Sequence, residues 1–600
     1  MRSRLSVVLV AIAALALLWT AVVASGGGGS LDLGPIAFSS NDPWRPLAIA
    51  LVCTAVALWL SGTARAAAAC RRLVKRLTPS VGAWLLAIAT AIVSLGWNSW
   101  TASGPDPYAY VSQATLLRGG RMEMPAPLAA EAPWPRAAES FAPFGYRAAP
   151  DGSPRFVPYT SPGVPLAMAA LQVLFGHCAA FAVTPIAGVV LVLCTYGIGR
   201  QVRSPAAGLI AASLVATSPA LLFMLMWPMT DVPAAAAAGL VVWCLLRGSP
   251  VSALAAGVAA AAGVLIRPNF VTIAAGAGVW LLAEVLALRR VADLRRFGMF
   301  VLGVVPGILI MLGWNARLFG SPLASGYGTA GELFDWSRVA VNAGQYTRWL
   351  WDTSPLAFVG LVALVLPGAG RWSGPAGAHA RWLLALIVLS AAGIYLFYLP
   401  FPEWWYLRFL LPAWPALFVG AGVALDALRQ RWPRVTPLVL IVVISAGLAG
   451  IAVAMRRGVF AIGVTERRYV SVARLVEQNT DPAAVIITWQ HAGTLRYYAG
   501  RETLRFDLLD SRSLDRAIAW LAERGRHPYI LVEDGERAMF DARFAIHNAH
   551  GRLDYSPAAG WQSSRTPGWV FLYDPFRRDA QTVQPGPMIE LAQPICAHPK

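Results

Sequence analysis

Long apolar runs recur along this chain of 600 residues, and their length constrains the fold more than any other feature. Many runs reach about twenty residues, which in a helix matches the roughly 30 Å hydrocarbon core of a bilayer. Hydrophobic residues make up 57% of the chain and charged residues only 13%. Because a lipid-exposed backbone must satisfy its own hydrogen bonds, these runs predict a polytopic α-helical membrane protein.

We predict about thirteen transmembrane helices from these runs. The predicted spans lie at residues 5–24, 46–64, 81–101, 179–199, 206–226, 232–246, 251–266, 269–288, 297–316, 354–368, 382–400, 409–428 and 435–455. Residues 161–176 hold an apolar stretch that is too short to span, and they predict a juxtamembrane or re-entrant helix.

The charge pattern predicts the orientation of the spans. The net charge of +18 comes almost entirely from arginine, since lysine occurs only at Lys75 and Lys600. Between residues 179 and 455, twelve arginines fall in the predicted inner loops and five in the predicted outer loops. This bias indicates a cytoplasmic N-terminus and an external C-terminus, and it explains the basic composition without a nucleic acid.

The N-terminal apolar run, residues 1–24, has two interpretations. It follows Arg2 and Arg4 and has small residues near Ala24, as a cleaved signal peptide does. The run is longer than the usual apolar core of a signal peptide, which favours an uncleaved anchor.

The composition changes near Thr465, where short β-type runs replace the long apolar ones. The runs are VIITW (485–489), LRFDLL (504–509), YILVE (529–533) and WVFLY (569–573). The segment SLDRAIAWLAERGR lies between them and predicts a helix with Ser513 as its N-cap. We therefore predict a transmembrane domain over 1–464 with an outer loop over 102–178, an external α/β domain over 465–580 and an irregular tail over 581–600.

Cysteine and histidine suggest no cofactor. The six cysteines show no CxxC or other metal-ligand spacing and are interpreted as small hydrophobic residues. His177 and His491 have no partners at metal-ligand spacing, which favours structural roles. GxGxxG and P-loop patterns are absent from the α/β region, so no nucleotide is predicted there.

Two acids are the candidate catalytic residues. Asp106 is the first charged residue after the span at 81–101, and Tyr108 and Tyr110 follow it closely. Asp231 lies at the outer end of the span at 206–226. Each acid precedes a helical segment, so each is also a natural N-cap. Acids at a membrane interface are nevertheless functional candidates by default, and both are predicted to face one external hollow.

Two arginines lie at the predicted outer face, although most arginines are predicted at the inner face. Both are candidate phosphate ligands. Arg267 follows the span at 251–266, and Arg408 lies near Glu403, Trp404 and Trp405. Guanidinium groups suit phosphate oxygens geometrically. The alternative is that these residues anchor the protein in the outer leaflet beside an aromatic belt.

Four features together resemble the GT-C superfamily of membrane glycosyltransferases, on the branch of protein O-mannosyltransferases and aminoarabinose transferases. They are GPDPYAYVSQATLLRGG just after a span, the short helix in SPGVPLAMAALQVLFGH, the segment ATSPALL followed by the acid in TDVP, and an external C-terminal domain. The resemblance covers residues 80–290 by motif and the remainder by architecture. Its aminoarabinose branch carries a Lys-Pro pair where this chain reads Tyr159-Thr160-Ser161-Pro162.

The resemblance implies sugar transfer from a polyprenyl-phosphate donor to a protein, lipid or glycan acceptor, with inversion at the anomeric carbon. Asp106 would be the general base and Asp231 would orient the acceptor. Arg267 or Arg408 would stabilise the departing phosphate, while Tyr108, Tyr110, Trp404 and Trp405 would offer stacking faces for a sugar. The resemblance leaves a divalent cation open as a cofactor. It places the protein in the inner or plasma membrane.

Two other classes of protein remain open. A transporter or flippase of lipid-linked glycans would carry its acids midway through broken spans, often with repeat symmetry. A scaffold that only displays the α/β domain would need neither acid. Replacing Asp106 by Asn separates these classes, because only the enzyme would lose transfer while keeping its fold.

Overall fold

The described residues of the computed structural model are 29–32, 37–40, 44–61, 78–366, 372–373, 379–562, 568–577, 586–587 and 596–600, with isolated positions between 8 and 23. Most of the predicted span at 5–24, Lys75 and most of the predicted tail at 581–600 lie outside them.

The chain is mostly helical and divides into two compact units. The membrane unit comprises Met1–Asn98, Ala182–Met311 and Ala330–Ala461. The α/β unit comprises Ser99–Phe181, Leu312–Thr329 and Ile462–Lys600.

Seven helices in the described ranges are long and apolar enough to cross a membrane, so the chain is a multi-pass membrane protein. They are Pro79–Trp97, His177–Val202, Pro268–Leu288, Val291–Phe319, His379–Leu396, Trp404–Arg431 and Pro433–Arg456. An eighth span forms if Pro205–Ala216 and Pro219–Leu225, which meet at a bend of 60°, are taken together. Shorter apolar helices lie at the other predicted positions: Trp44–Val56, Asp231–Leu245, Pro250–Ile266 and Leu356–Val365.

Small residues let helices of the membrane unit approach closely. A Cβ on Gly360 would overlap the carbonyl oxygen of Leu417, and a Cβ on Gly420 would lie 2.6 Å from the carbonyl oxygen of Gly360. Helices Leu356–Val365 and Trp414–Arg431 are therefore in backbone contact at these glycines. Such packing is common where lipid supplies no hydrophobic driving force between helices.

The α/β unit contains a six-stranded sheet. Its strand order is Gly586–Pro587, Ala559–Gln562, Trp569–Tyr573, Pro528–Glu533, Val485–Thr488, Glu502–Arg505. The last three strands are parallel, and Trp569–Tyr573 is antiparallel to both of its neighbours. Helices Ile462–Asn479, Leu514–Glu523 and Asp534–Phe544 accompany them, with Ser513 as the N-cap of the second as predicted.

The predicted outer loop forms short elements in the same unit. Helices Pro105–Arg118, Pro127–Glu131, Ala137–Phe141 and Gly163–Phe175 alternate with the strands Met124–Pro125, Tyr146–Ala148 and Arg155–Pro158. The last helix has 13 residues and covers the segment predicted to be too short to span. Further short helices lie at Ala330–Leu333, Val339–Thr353 and Trp404–Ala413 in the membrane unit.

The interpretation of all six cysteines as small hydrophobic residues was wrong for two of them. Cys178 and Cys596 form a disulfide within the α/β unit, with 5.8 Å between their Cα atoms. They are 418 positions apart in sequence, so no local spacing could indicate the pair. Cys53, Cys194 and Cys244 are free thiols.

Candidate functional site

Asp231 is held by an arginine inside the membrane unit. It is the first residue of helix Asp231–Leu245 and is fully buried. Arg267 donates through Nη2 to Asp231 Oδ1 over 2.6 Å and through Nε to the hydroxyl of Thr230 over 3.0 Å. Asp231 Oδ2 is buried and has no hydrogen-bond partner among the residues that the structure describes. The arginine therefore fixes the carboxyl group and leaves one oxygen to accept a further bond.

A small cavity adjoins Arg267. Arg267 Nη1 lies 3.4 Å from the hydroxyl of Tyr395, and Asn269 donates to the same hydroxyl oxygen over 2.6 Å. Tyr395 stacks on Phe409, with 4.6 Å between ring centroids. Arg267, Asn269, Thr272 and Tyr395 line the cavity, which is otherwise apolar. Arg267 thus binds the Asp231 carboxylate. Its guanidinium is therefore less available to a phosphate than the sequence suggested.

Arg408 lies in the 3-10 helix Trp404–Ala413, among aromatic rings. Its guanidinium carbon is 5.1 Å from the ring centroid of Tyr406 and 5.3 Å from that of Phe409. Stacking of this kind stabilises a partly desolvated arginine without neutralising its charge. Glu403 precedes the helix and is exposed.

The rings of Trp404 and Trp405 meet at Phe223. The ring of Trp405 stacks on that of Phe223 with 5.7 Å between centroids, and Trp404 meets it edge-on at 5.3 Å. Arg457, which sequence reasoning missed, places its guanidinium carbon 4.5 Å from the Trp404 centroid. Arg457 Nη1 is buried and lacks a hydrogen-bond partner within the described ranges. Its signal in the sequence is an Arg-Arg pair at the outer end of the last predicted span.

Asp106 belongs to the α/β unit, in the first turn of helix Pro105–Arg118. The N-cap is Gly104, and the N-cap of the helix that carries Asp231 is Thr230. Neither acid therefore occupies the N-cap position, which was the structural alternative to a functional role for each of them. Asp106 acts electrostatically on Tyr159: burial raises the pKa of that tyrosine to about 12, and the negative charge of Asp106 adds to the rise.

The two tyrosines that follow Asp106 face the interior of the α/β unit. Tyr108 is 1% exposed and Tyr110 is 7% exposed. Burial raises the pKa of Tyr108 to about 12, and a Cβ on Gly493 would overlap its ring. Tyr108 is thus covered by protein, which favours a packing role over sugar stacking.

A metal site is not evident in the parts of the chain that the structure describes. These residues contain no group of three or more His, Cys, Asp or Glu side chains arranged to hold an ion. His177 instead contacts Gln172 and the rings of Phe181 and His598.

The fold described above is a GT-C-like fold, as the motifs predicted. The oligosaccharyltransferase of Archaeoglobus fulgidus tethered with an acceptor peptide is similar, with a TM-score of 0.52 and 13% sequence identity over 79% of this chain and 72% of that chain.

The archaeal enzyme in complex with an inhibitory peptide and a dolichol-phosphate gives a TM-score of 0.51 at 13% identity, over 83% of this chain and 75% of that chain. ArnT from Cupriavidus metallidurans in the apo state gives a TM-score of 0.49 at 13% identity, over 82% of this chain and 97% of that chain. No protein-family model and no curated protein sequence matches the chain.

Proposed function

We propose that this protein is an inverting glycosyltransferase that moves a sugar from a polyprenyl-phosphate donor to an acceptor at the external membrane face. The observation that carries the proposal is the GT-C fold. The archaeal oligosaccharyltransferase with this fold has been captured with a dolichol-phosphate and, separately, with an acceptor peptide. Those two ligands have the chemistry of the donor lipid and the acceptor in this proposal.

Asp106 is the proposed general base. It takes the proton of an acceptor hydroxyl as the hydroxyl oxygen attacks the anomeric carbon of the sugar. The new C–O bond forms on the face opposite the phosphate, the old C–O bond breaks, and its electron pair leaves with the polyprenyl phosphate. One displacement of this kind inverts the anomeric configuration. Asp106 lies in the first turn of helix Pro105–Arg118, at the helix end whose unpaired N–H groups attract an acidic side chain.

Asp231 is the proposed orienting acid. Arg267 holds Oδ1, and the buried Oδ2, which has no hydrogen-bond partner among the described residues, is the proposed acceptor for a substrate hydroxyl or amide. A carboxylate that is fixed in this way binds in one geometry and loses little freedom on binding.

Arg408 and Arg457 are the proposed ligands of the donor phosphate. Both lie against aromatic rings of the Trp404–Ala413 segment, and Arg457 has a buried, unused donor. Guanidinium donors would stabilise the negative charge that grows on the leaving phosphate. The half-buried rings of Trp404 and Trp405 offer apolar surface to the first isoprene units or to the sugar.

The Cys178–Cys596 disulfide supports an external α/β unit, because disulfides persist in oxidising compartments. An external site has no supply of nucleotide sugars, which supports a lipid-linked donor.

The test is a transfer reaction. The purified full-length protein is incubated with a panel of radiolabelled undecaprenyl-phosphate sugars and a membrane extract, and labelled products are separated from the donor. We expect a product from one donor, and its loss in Asp106→Asn but not in Asp151→Asn, a half-exposed acid of the same outer loop. Folded protein that transfers from none of the donors contradicts the proposal.

A flippase is the second candidate. The 60° bend between Pro205–Ala216 and Pro219–Leu225 favours it, because transporters often build their sites at broken helices. A flippase would move labelled lipid-linked sugar between the leaflets of proteoliposomes and would do so equally in Asp106→Asn.

A further inference from the structure

A cluster of ionisable side chains lies at the carboxyl edge of the parallel strands in the α/β unit. Strands Val485–Thr488 and Pro528–Glu533 are parallel neighbours, so their C-terminal ends meet at the same edge. His491 follows the first strand, and Glu533 ends the second. This edge is where ligands and reactive groups gather in open α/β sheets, although the sequence shows no nucleotide motif there.

The side chains of the cluster are joined by short contacts. His491 Nε2 lies 2.8 Å from Glu533 Oε1, and Arg468 Nη1 lies 3.5 Å from Glu533 Oε2. The ring of Tyr469 is 4.8 Å from that of His491, and its hydroxyl accepts a bond from Arg468 Nη2 over 3.4 Å. Helix Ile462–Asn479, which carries Arg468 and Tyr469, is thereby fastened to the edge of the sheet.

The backbone around the cluster is also fixed. Glu536 Oε1 accepts from the backbone N–H of Gln490 over 3.0 Å, and Glu536 Oε2 accepts from that of Glu533 over 3.0 Å. His491 is fully buried, and its Nδ1 has no hydrogen-bond partner within the described part of the chain. The imidazole is thus held through Nε2 by Glu533 and by contact with the ring of Tyr469.

The cluster reaches the turn that precedes Asp106. Gly104 has φ +57°, and a Cβ there would lie 3.8 Å from the hydroxyl of Tyr469 and 4.0 Å from Glu466 Oε2. The Ser103 hydroxyl is near enough to the Glu466 carboxylate to oppose the rise in the pKa of that acid, but Ser103 Oγ makes no hydrogen bond among the described residues. The backbone N–H of Ala102 donates to the hydroxyl of Tyr498 over 2.8 Å. Side chains from the C-terminal segment therefore pack against the turn that immediately precedes the helix carrying Asp106.

The Glu466 side chain destabilises the folded unit at neutral pH. Burial raises its pKa, so the ionised carboxylate lowers the stability of the folded unit. A purely structural position would be filled more stably by an uncharged side chain. Acids retained at such a cost are typical of functional sites.

We infer that Glu466 and Tyr469, braced by Arg468, His491 and Glu533, are positioning residues for Asp106. They act through the turn Ser103–Gly104, which sets where the helix Pro105–Arg118 begins and where its first-turn carboxylate points. The inference rests on the proposed role of Asp106 as general base. It gives the C-terminal part of the chain a role in the transfer step, rather than in display alone.

The test compares Glu466→Gln and Tyr469→Phe with Glu477→Gln, a matched acid on the same helix whose partner is Lys600. Each full-length variant is assayed with the active undecaprenyl-phosphate sugar, and its hydrogen exchange is followed by mass spectrometry. We expect kcat to fall about tenfold to hundredfold in the first two variants, with the donor KM changed less than about twofold. Exchange should rise in residues 99–110 alone. Glu477→Gln should match the wild type in both measurements.

Asp106→Asn is assayed in parallel to separate this inference from the proposed function. If Asp106→Asn keeps full transfer, the proposed base is wrong and the inference falls with it. If Asp106→Asn abolishes transfer while Glu466→Gln and Tyr469→Phe keep the wild-type kcat, the positioning inference alone is overturned. Raised exchange throughout the α/β unit would indicate a general folding role and would also overturn it.

Discussion

Arg267 Nη2 donates to Asp231 Oδ1 over 2.6 Å, and both side chains are largely withdrawn from solvent. The pair joins the start of one helix to the end of the next within the membrane unit. Removing one partner of a buried ion pair leaves an uncompensated charge, which costs far more than the pair itself contributes. Substitutions at this pair can therefore measure its contribution to stability separately from its part in the proposed transfer reaction.

Arg267→Gln should destabilise the protein by about 3–5 kcal/mol, because Asp231 would lose its counter-charge while remaining buried. The apparent Tm in detergent, followed by tryptophan fluorescence, measures the effect. The double variant Asp231→Asn/Arg267→Gln should recover part of the loss, since it removes both charges. An Arg267→Gln variant with the wild-type Tm would show that the pair does not form.

Arg457→Gln should weaken donor binding while leaving stability nearly unchanged. A charge-assisted hydrogen bond to phosphate contributes about 1.5–3 kcal/mol, so the donor KM should rise roughly tenfold or more. Arg456→Gln is the matched control, because Arg456 is the exposed neighbour at the same helix end. Equal kinetics for the two variants would remove Arg457 from the proposed phosphate site.

Glu466 and Glu533 should give opposite dependences of stability on pH. Burial raises the pKa of Glu466 above 4.5, so the folded state favours its protonated form and loses stability as pH rises through the folded pKa. Burial would also raise the pKa of Glu533, but the hydrogen bond from His491 and the charge of Arg468 lower it below 4.5. Its contribution is present at neutral pH and is lost as pH falls through the folded pKa.

We therefore expect Glu466→Gln to raise the apparent Tm at about pH 7.5, with the gain fading toward about pH 4. Glu533→Gln should lower the apparent Tm at neutral pH, with the loss shrinking on acidification. Differential scanning fluorimetry of both variants across this range checks the signs. A Glu466→Gln variant that is less stable at neutral pH would contradict the argument from burial.

The Cys178–Cys596 disulfide should be present in protein purified without reductant. Non-reducing peptide mapping should recover the two cysteines in one cross-linked peptide pair and leave Cys53 and Cys194 as free thiols. Cys596→Ser should lower the stability of the α/β unit by about 2–5 kcal/mol, as removal of native disulfides usually does. Free thiols at Cys178 and Cys596 in the unreduced sample would contradict the link and weaken the external assignment.

Local pattern predicted most of the regular elements, although the strand predicted at 504–509 lies at Glu502–Arg505. The run WVFLY at 569–573 is a strand with those bounds, and the helix after Ser513 begins where its sequence predicted. The short helix at 163–175 was recognised from its length alone. These features depend on periodicity and chain length, which neighbouring residues define. The orientation of the spans and the domain boundary near residue 465 stay predictions.

Contacts between residues that are distant in sequence could not be predicted in the same way. Arg267 was assigned to a phosphate because the sequence does not show that the Asp231 carboxylate lies beside it. Tyr108 was assigned to a sugar because its position after Asp106 does not reveal that Gly493 receives its ring. The disulfide joins residues from distant segments for the same reason. Each of these contacts is set by tertiary packing.

The most direct test of the account is the transfer rate of Asp106→Asn with the active donor at saturating acceptor. Asparagine keeps the size of the side chain but cannot accept the hydroxyl proton. We expect kcat to fall about 10²- to 10⁴-fold with an unchanged apparent Tm. A variant that transfers sugar at the wild-type rate would contradict the assignment of Asp106 as the base and, with it, the proposed mechanism.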